Sequence, residues 1–311
     1  MESESASRLQ GVSDVHVYAS PDVYRRQFNI VDIAKQARDV GYRGLLYKIH
    51  LWLNADTAEL ASRLVPGIAV FGGIVLNWTV GGLNPQAVEA AIMMGAREVW
   101  MPNIHASTSG KAKVLSKDEL RSHAYRHLLP DPFQKRLLRE VPRIQLIDEN
   151  GNLVPVMYDI IELIAEAEVI LGTCHASKRE CFALVAAAAK AGVKKILITH
   201  PSPHPIPDHR GLTGGTLGEW WSIDELKKIT EMGAILEFNT PAKNVANYFA
   251  EAIKAVGARR CVMASGEGAI YGLHPIESMR YFMRRMSRHG VSDQELDVMT
   301  KENPAWLLGL K

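Results

Sequence analysis

The chain has 311 residues, with 36 Lys and Arg against 34 Asp and Glu, a formal net charge of +2. That balance argues against a polyanion-binding surface spread over the whole protein, so no nucleic-acid partner is expected, and 47% hydrophobic with 23% charged residues excludes disordered and fibrous classes. Apolar stretches such as 68–76 are broken by glycine and fall short of the ~20 residues that a membrane-spanning helix needs, so no membrane span is expected.

Residues 1–11 read as a polar N-terminal tail. Met1-Glu2-Ser3-Glu4-Ser5 has neither the basic start nor the apolar middle of a secretion signal, which predicts a cytoplasmic protein. Cys174, Cys181 and Cys261 show no paired spacing, which fits a reducing compartment. Residues 12–311 read as one domain in which short apolar runs alternate with segments of helical spacing. The predicted strands are 12–18, 44–50, 68–77, 98–103, 169–175, 195–200, 234–239 and 260–265. The helical segments are 30–40, 57–64, 85–94, 158–167, 178–191, 223–232, 242–256 and 275–289. Gly41, Gly95, Gly192, Gly233 and Gly257 stand where left-handed helix C-caps are expected. Eight βα units without a glycine-rich dinucleotide turn after the first strand favour a (β/α)8 TIM-type barrel over an open doubly wound sheet.

Two stretches break the rhythm. Residues 106–155, after the fourth strand, read as a helical and β-hairpin insert. Nine Lys or Arg face four acids between Lys111 and Arg143, a face suited to a lid or to contact in a homo-oligomer, and Asn150-Gly151 signals a hairpin turn. Residues 201–221, rich in proline and glycine, read as rigid rim loops. The tryptophans at 52, 78, 100, 220 and 221 lie near strand ends, where some are expected to wall a pocket.

In a βα barrel, catalytic groups sit at the C-terminal ends of strands. Five of the 11 histidines, His16, His50, His105, His175 and His200, close or nearly close a predicted strand. One such histidine alone is more often a hydrogen-bonded core residue, but several converging on one mouth suit a metal-binding site with an open position for water.

Asp14-Val15-His16-Val17-Tyr18 resembles the Asp-x-His-x-His opening of the amidohydrolase superfamily. Lys48-Ile49-His50, the segment 172–177 with Glu180, and Thr199-His200-Pro201 are similar to segments of a small uncharacterised branch of it, and the ending 302–310 resembles its Asn-Pro-Ala-x-Leu-Leu-Gly-Leu tail. The resemblance implies one divalent ion, zinc or alternatively manganese, held by His16, His175 and His200, and a strand-eight aspartate that shuttles protons. Two positions depart from the pattern: Tyr18 replaces the second histidine, and Gly266 falls where the aspartate is expected.

The reaction implied is hydrolysis of a small anionic or cyclic amide, imide or lactone by metal-activated water. Glu267, or His50, would relay the proton, and Lys48 would stabilise an oxyanion or bind a substrate carboxylate. Tyr18, Lys48, His105 and Glu237 are candidate substrate contacts. The competing reading is a metal-free lactonase or lyase using Lys and His acid–base chemistry.

Overall fold

The computed structural model describes residues 8–108, 142–202, 204–207, 213–217, 220–240, 245–270 and 272–311, with 204–207 and 213–217 as backbone. The strand β1 (Ser13–Tyr18) pairs in parallel with β2 (Gly44–Lys48), and β2 with β3 (Ala69–Phe71). The predicted third strand is split. Asn54 inserts at Gly72, giving its Nδ2 to Tyr47 O at 2.7 Å and accepting from Gly73 N at 2.8 Å. A Cβ on Gly72 would lie 2.6 Å from Asn54 O.

Beyond this break, β4 (Gly73–Val75) opens a second parallel sheet that continues through β5 (Glu98–Trp100), β6 (Ile170–Gly172) and β7 (Ile196–Thr199). A separate antiparallel ribbon, β8 (His204–Pro207) with β9 (Thr213–Leu217), lies where rim loops were expected. The sheet ends with β10 (Ile235–Asn239) and β11 (Cys261–Ala264). Just past β11 the chain meets β1: Gly266 N donates to His16 O at 2.9 Å, and Tyr18 N to Glu267 O at 2.8 Å.

Helices follow the strands: α1 (Ile30–Asp39), α2 (Ala55–Leu64), α3 (Pro85–Met93), α4 (Val156–Glu166), α5 (Lys178–Lys190), α6 (Ile223–Glu231), α7 (Ala246–Val256) and α8 (Pro275–Arg288). The five glycines expected at helix ends have φ between +84° and +111°. Two short helices, α9 (Asp293–Asp297) and α10 (Asn303–Leu308), were not predicted. Asn303 Nδ2 ties the second to Ala258 O and Cys261 O, at 3.0 and 2.6 Å, which gives the Asn-Pro-Ala tail a structural use.

The hairpin expected in the insert is present. Ile147 bridges Leu153 antiparallel, and Gly151 turns at φ +88°. The basic stretch of the insert lies, except for Pro142 and Arg143, outside the described residues. A large apolar core fills the space between strands and helices, with a small cluster of Tyr24, Leu51 and Ile104 beside it, and all three cysteines are buried thiols. Among the described residues no helix is long and apolar enough to cross a membrane.

Candidate active site

Alternation along β1 puts Asp14, His16 and Tyr18 on one face, with Val15 and Val17 on the other. The same period puts Glu237 and Asn239 on one face of β10. His16, fully buried, joins the two strands: its Nδ1 lies 2.5 Å from Glu237 Oε1, and its Nε2 lies 2.8 Å from the Tyr18 hydroxyl. Burial first, then the Lys48 ammonium, lowers the His16 pKa and keeps the ring neutral. Its single proton then sits on Nδ1, facing the carboxylate, and Nε2 accepts from the phenol. Thr199 Oγ1 holds the other Glu237 oxygen at 3.4 Å. Burial holds Tyr18 well above the usual phenol pKa, while the Arg26 guanidinium, 4.4 Å from its ring centre, pulls the other way. Arg26 is itself paired with Asp22 at 2.6 Å.

His200 stands between two other rings, its centroid 5.8 Å from that of His16 and 5.6 Å from that of His175. Asn239 Nδ2 lies 3.1 Å from His200 Nδ1. His200 and Cys174 both have left-handed backbones, φ +56° and +50°, conformations that non-glycine residues adopt at a cost and that collect at functional sites. Tyr18, His175, His200 and Asn239 are half-buried, more open than His16 and Glu237.

Lys48 is 1% exposed, with Nζ 3.4 Å from Cys174 Sγ and 5.0 Å from the centre of Trp100. Sequence reasoning missed Glu98, whose two carboxylate oxygens are buried with no hydrogen-bond partner among the described residues. Burial and the nearby Glu237 push its pKa far up, so Glu98 is a neutral acid. Its signal was an acid opening a short strand whose other residues, Val99 and Trp100, are apolar.

His50 is buried against Tyr18 and Tyr24, at centroid distances of 4.9 and 5.3 Å, and Asn103 Nδ2 lies 2.6 Å from its Nδ1. His105 is engaged with the neighbouring turn: its Nδ1 accepts from Trp78 N at 3.3 Å. Glu267 turns toward its own loop, where the backbone of Leu273 and Gly268 hydrogen-bonds its carboxyl. Burial still raises its pKa to about 7. Ser177 and Glu180, part of the sequence resemblance, form the capping box of α5, and Glu180 also accepts from Leu146 N at 2.9 Å. Of the tryptophans, Trp100 and Trp221 are buried, whereas Trp52, Trp78 and Trp220 are exposed.

The donor set does not fit the implied metal. His16 spends both ring nitrogens on Glu237 and Tyr18, and His200 Nδ1 is taken up with Asn239. The cations Lys48 and Arg26 bear electrostatically on His16, an unfavourable setting for a dication. Among the described residues no group of three or more His, Cys, Asp or Glu side chains is arranged to hold an ion.

Solved structures share the fold. The probable dipeptidase PvdM of Pseudomonas aeruginosa aligns at TM-score 0.58 and 12% identity, covering 99% of this chain and 96% of that one. An amidohydrolase from the same organism aligns at TM-score 0.53 and 10% identity, over 98% and 97% of the two chains. A 2,6-dihydroxybenzoate decarboxylase from Rhizobium aligns at 0.53 and 10%, over 97% and 99%. The α/β fold expected from the sequence resemblance is thus shared with these structures. No curated protein matches the sequence. The model of a family of unknown function, DUF6282, matches residues 11–237, and the chain belongs to that family.

Proposed function

We propose that this protein is an enzyme of hydrolase or lyase type that acts on a small anionic substrate by metal-free acid–base chemistry. The observation that carries this reading is the bridge made by His16 between Glu237 and Tyr18. The parallel strands β1 to β7, β10 and β11, eight when the split pair β3 and β4 counts as one, are joined from β11 to β1 through Gly266 and Glu267 and are read as a closed barrel whose C-terminal end holds the site. Superfamily neighbours that include a hydrolase and a decarboxylase support the broad reaction class.

The relay works in one direction and then in reverse. Tyr18 passes its hydroxyl proton to His16 Nε2 as its oxygen takes a proton from the substrate or from a bound water. The imidazolium so formed faces Glu237 at 2.5 Å, an ion pair within a buried setting. Arg26, over the Tyr18 ring, favours the partial negative charge that builds on the phenol oxygen as its proton moves to His16. Returning the proton through Tyr18 to the leaving oxygen, nitrogen or carbon completes the cycle. Burial, aided by the positive potential of Lys48 and Arg26, keeps His16 and His50 neutral between cycles, and that potential favours an anionic substrate.

A screen of small lactones, cyclic amides and imides, and aromatic carboxylates tests this reading, with Tyr18→Phe beside the wild type. Turnover that falls about 10²- to 10⁴-fold in Tyr18→Phe, the usual worth of a positioned proton-transfer group, is expected. A Tyr18→Phe protein that turns over at the wild-type rate contradicts it.

A further inference from the structure

Resting on the relay just described, we propose that Asp14 is a positioning residue: together with Ser265 it clamps a β-bulge at His16, and this clamp sets the imidazole between Glu237 and Tyr18.

The register of β1 against β2 locates the bulge. Asp14 lies opposite Leu45 and Val17 opposite Tyr47, so β1 takes three steps where β2 takes two, and Val15 and His16 share the place across from Leu46. An extra residue disrupts the ladder locally and re-aims the side chain it carries, which is why bulges gather beside active sites. Such a kink keeps one direction only when the main-chain groups around it are tied down.

Asp14 and Ser265 supply the ties. Asp14 Oδ1 accepts from His16 N at 3.1 Å and from Ser265 N at 3.0 Å, so one carboxyl oxygen joins the bulge to the residue that follows β11. On the other side of the same histidine, His16 O accepts from Gly266 N at 2.9 Å and from Ser265 Oγ at 3.3 Å. The Ser265 hydroxyl also accepts from Glu267 N at 3.4 Å, and Glu267 O in turn accepts from Tyr18 N at 2.8 Å. One buried knot thus holds the main chain of both proton carriers. A small shift of His16 lengthens the 2.5 Å contact of Nδ1 with Glu237 and turns Nε2 away from the phenol. Asp14 Oδ2 has no hydrogen-bond partner among the described residues, so the clamp draws on the acceptor at Oδ1 alone.

Proton NMR of the resting full-length protein tests the clamp, beside steady-state kinetics on a substrate drawn from the lactone, amide and carboxylate screen. The proton in the short bond between His16 Nδ1 and Glu237 should give a far-downfield signal, assigned by its loss in His16→Gln. Asp14→Ala and Ser265→Ala should move that signal upfield and lower kcat about 10- to 10²-fold with little change in KM, as expected when a reacting group is displaced by about 1 Å or less. Asp14→Asn keeps Oδ1 and should keep both the signal and most of kcat. Ser265→Ala removes only a hydroxyl and carries the test by itself if Asp14→Ala does not fold. A Ser265→Ala or Asp14→Ala protein with the wild-type signal and kcat overturns the inference, as does an Asp14→Asn protein that loses the signal. Because the signal is read without turnover, a Tyr18→Phe protein that keeps the wild-type rate removes the relay and leaves the clamp to stand or fall on the spectrum.

Discussion

His16 and Glu237 stand 221 positions apart in the chain, and their side chains meet at 2.5 Å in the interior. Replacing the carboxylate by an amide in Glu237→Gln keeps the shape but offers His16 Nδ1 either an oxygen or an NH2. The imidazolium also loses its counter-charge. The expected outcome is a fall in kcat of about 10²- to 10⁴-fold with a modest change in KM, read by steady-state kinetics. Unchanged kcat would remove Glu237 from the relay.

Lys48 bears electrostatically on both His16 and His50, lowering the pKa of each. Lys48→Met fills much of the same volume without the charge, so both rings should hold protons to higher pH. The acid limb of the pH–rate profile should then move to higher pH, and histidine titrations followed by NMR should move with it. An acid limb that stays in place or moves to lower pH contradicts the assigned role of Lys48.

Buried acids with raised pKa values, Asp14, Glu267 and Glu98 among them, tie stability to pH. Asp14 is raised from 3.8, and Glu267 from 4.5, each to about 7, burial being the main cause in both. Between the unfolded and folded pKa values the native state holds protons that the unfolded chain has released, so stability is greatest at the acid side of this window and falls as pH rises toward 7. Each group can contribute a slope of up to ~1.4 kcal/mol per pH unit. Urea denaturation from pH 4.5 to 7.5 should show the decline, and Asp14→Asn should flatten it. A decline equally steep in Asp14→Asn would assign it to other groups.

Gly268, at φ +126°, passes so close to Tyr18 that an added Cβ would overlap the Tyr18 carbonyl oxygen at 1.7 Å. Gly268→Ala must therefore push β1 at the residue that carries the phenol. It should cost about 1–3 kcal/mol in stability and lower kcat as well, measured by denaturation and kinetics on the same preparation. A variant as stable and as active as wild type would show that this contact does not hold Tyr18.

What the sequence made legible was what local chemistry encodes. Glycines after helices, apolar runs and the Asn150-Gly151 turn each act on their own few residues, and the βα order, the five helix ends and the hairpin follow from them. The break at Gly72 was hidden because its cause, Asn54, lies on a different element. Histidines at strand ends were visible for the same reason that strands were. Their partners were not, since Asn103 for His50 and Glu237 for His16 depend on register between distant strands. Tyr18, read from the sequence as a lost metal ligand and a candidate substrate contact, gains its place in a relay only once His16 Nε2 is seen to point at its hydroxyl.

The most direct measurement is turnover by protein stripped of metal, compared with the same protein given zinc or manganese, alongside elemental analysis of both. A relay through Glu237, His16 and Tyr18 predicts a rate that survives the chelator and does not depend on bound metal. A rate abolished by the chelator, restored by one equivalent of zinc and lost with the ion in His200→Ala would contradict it.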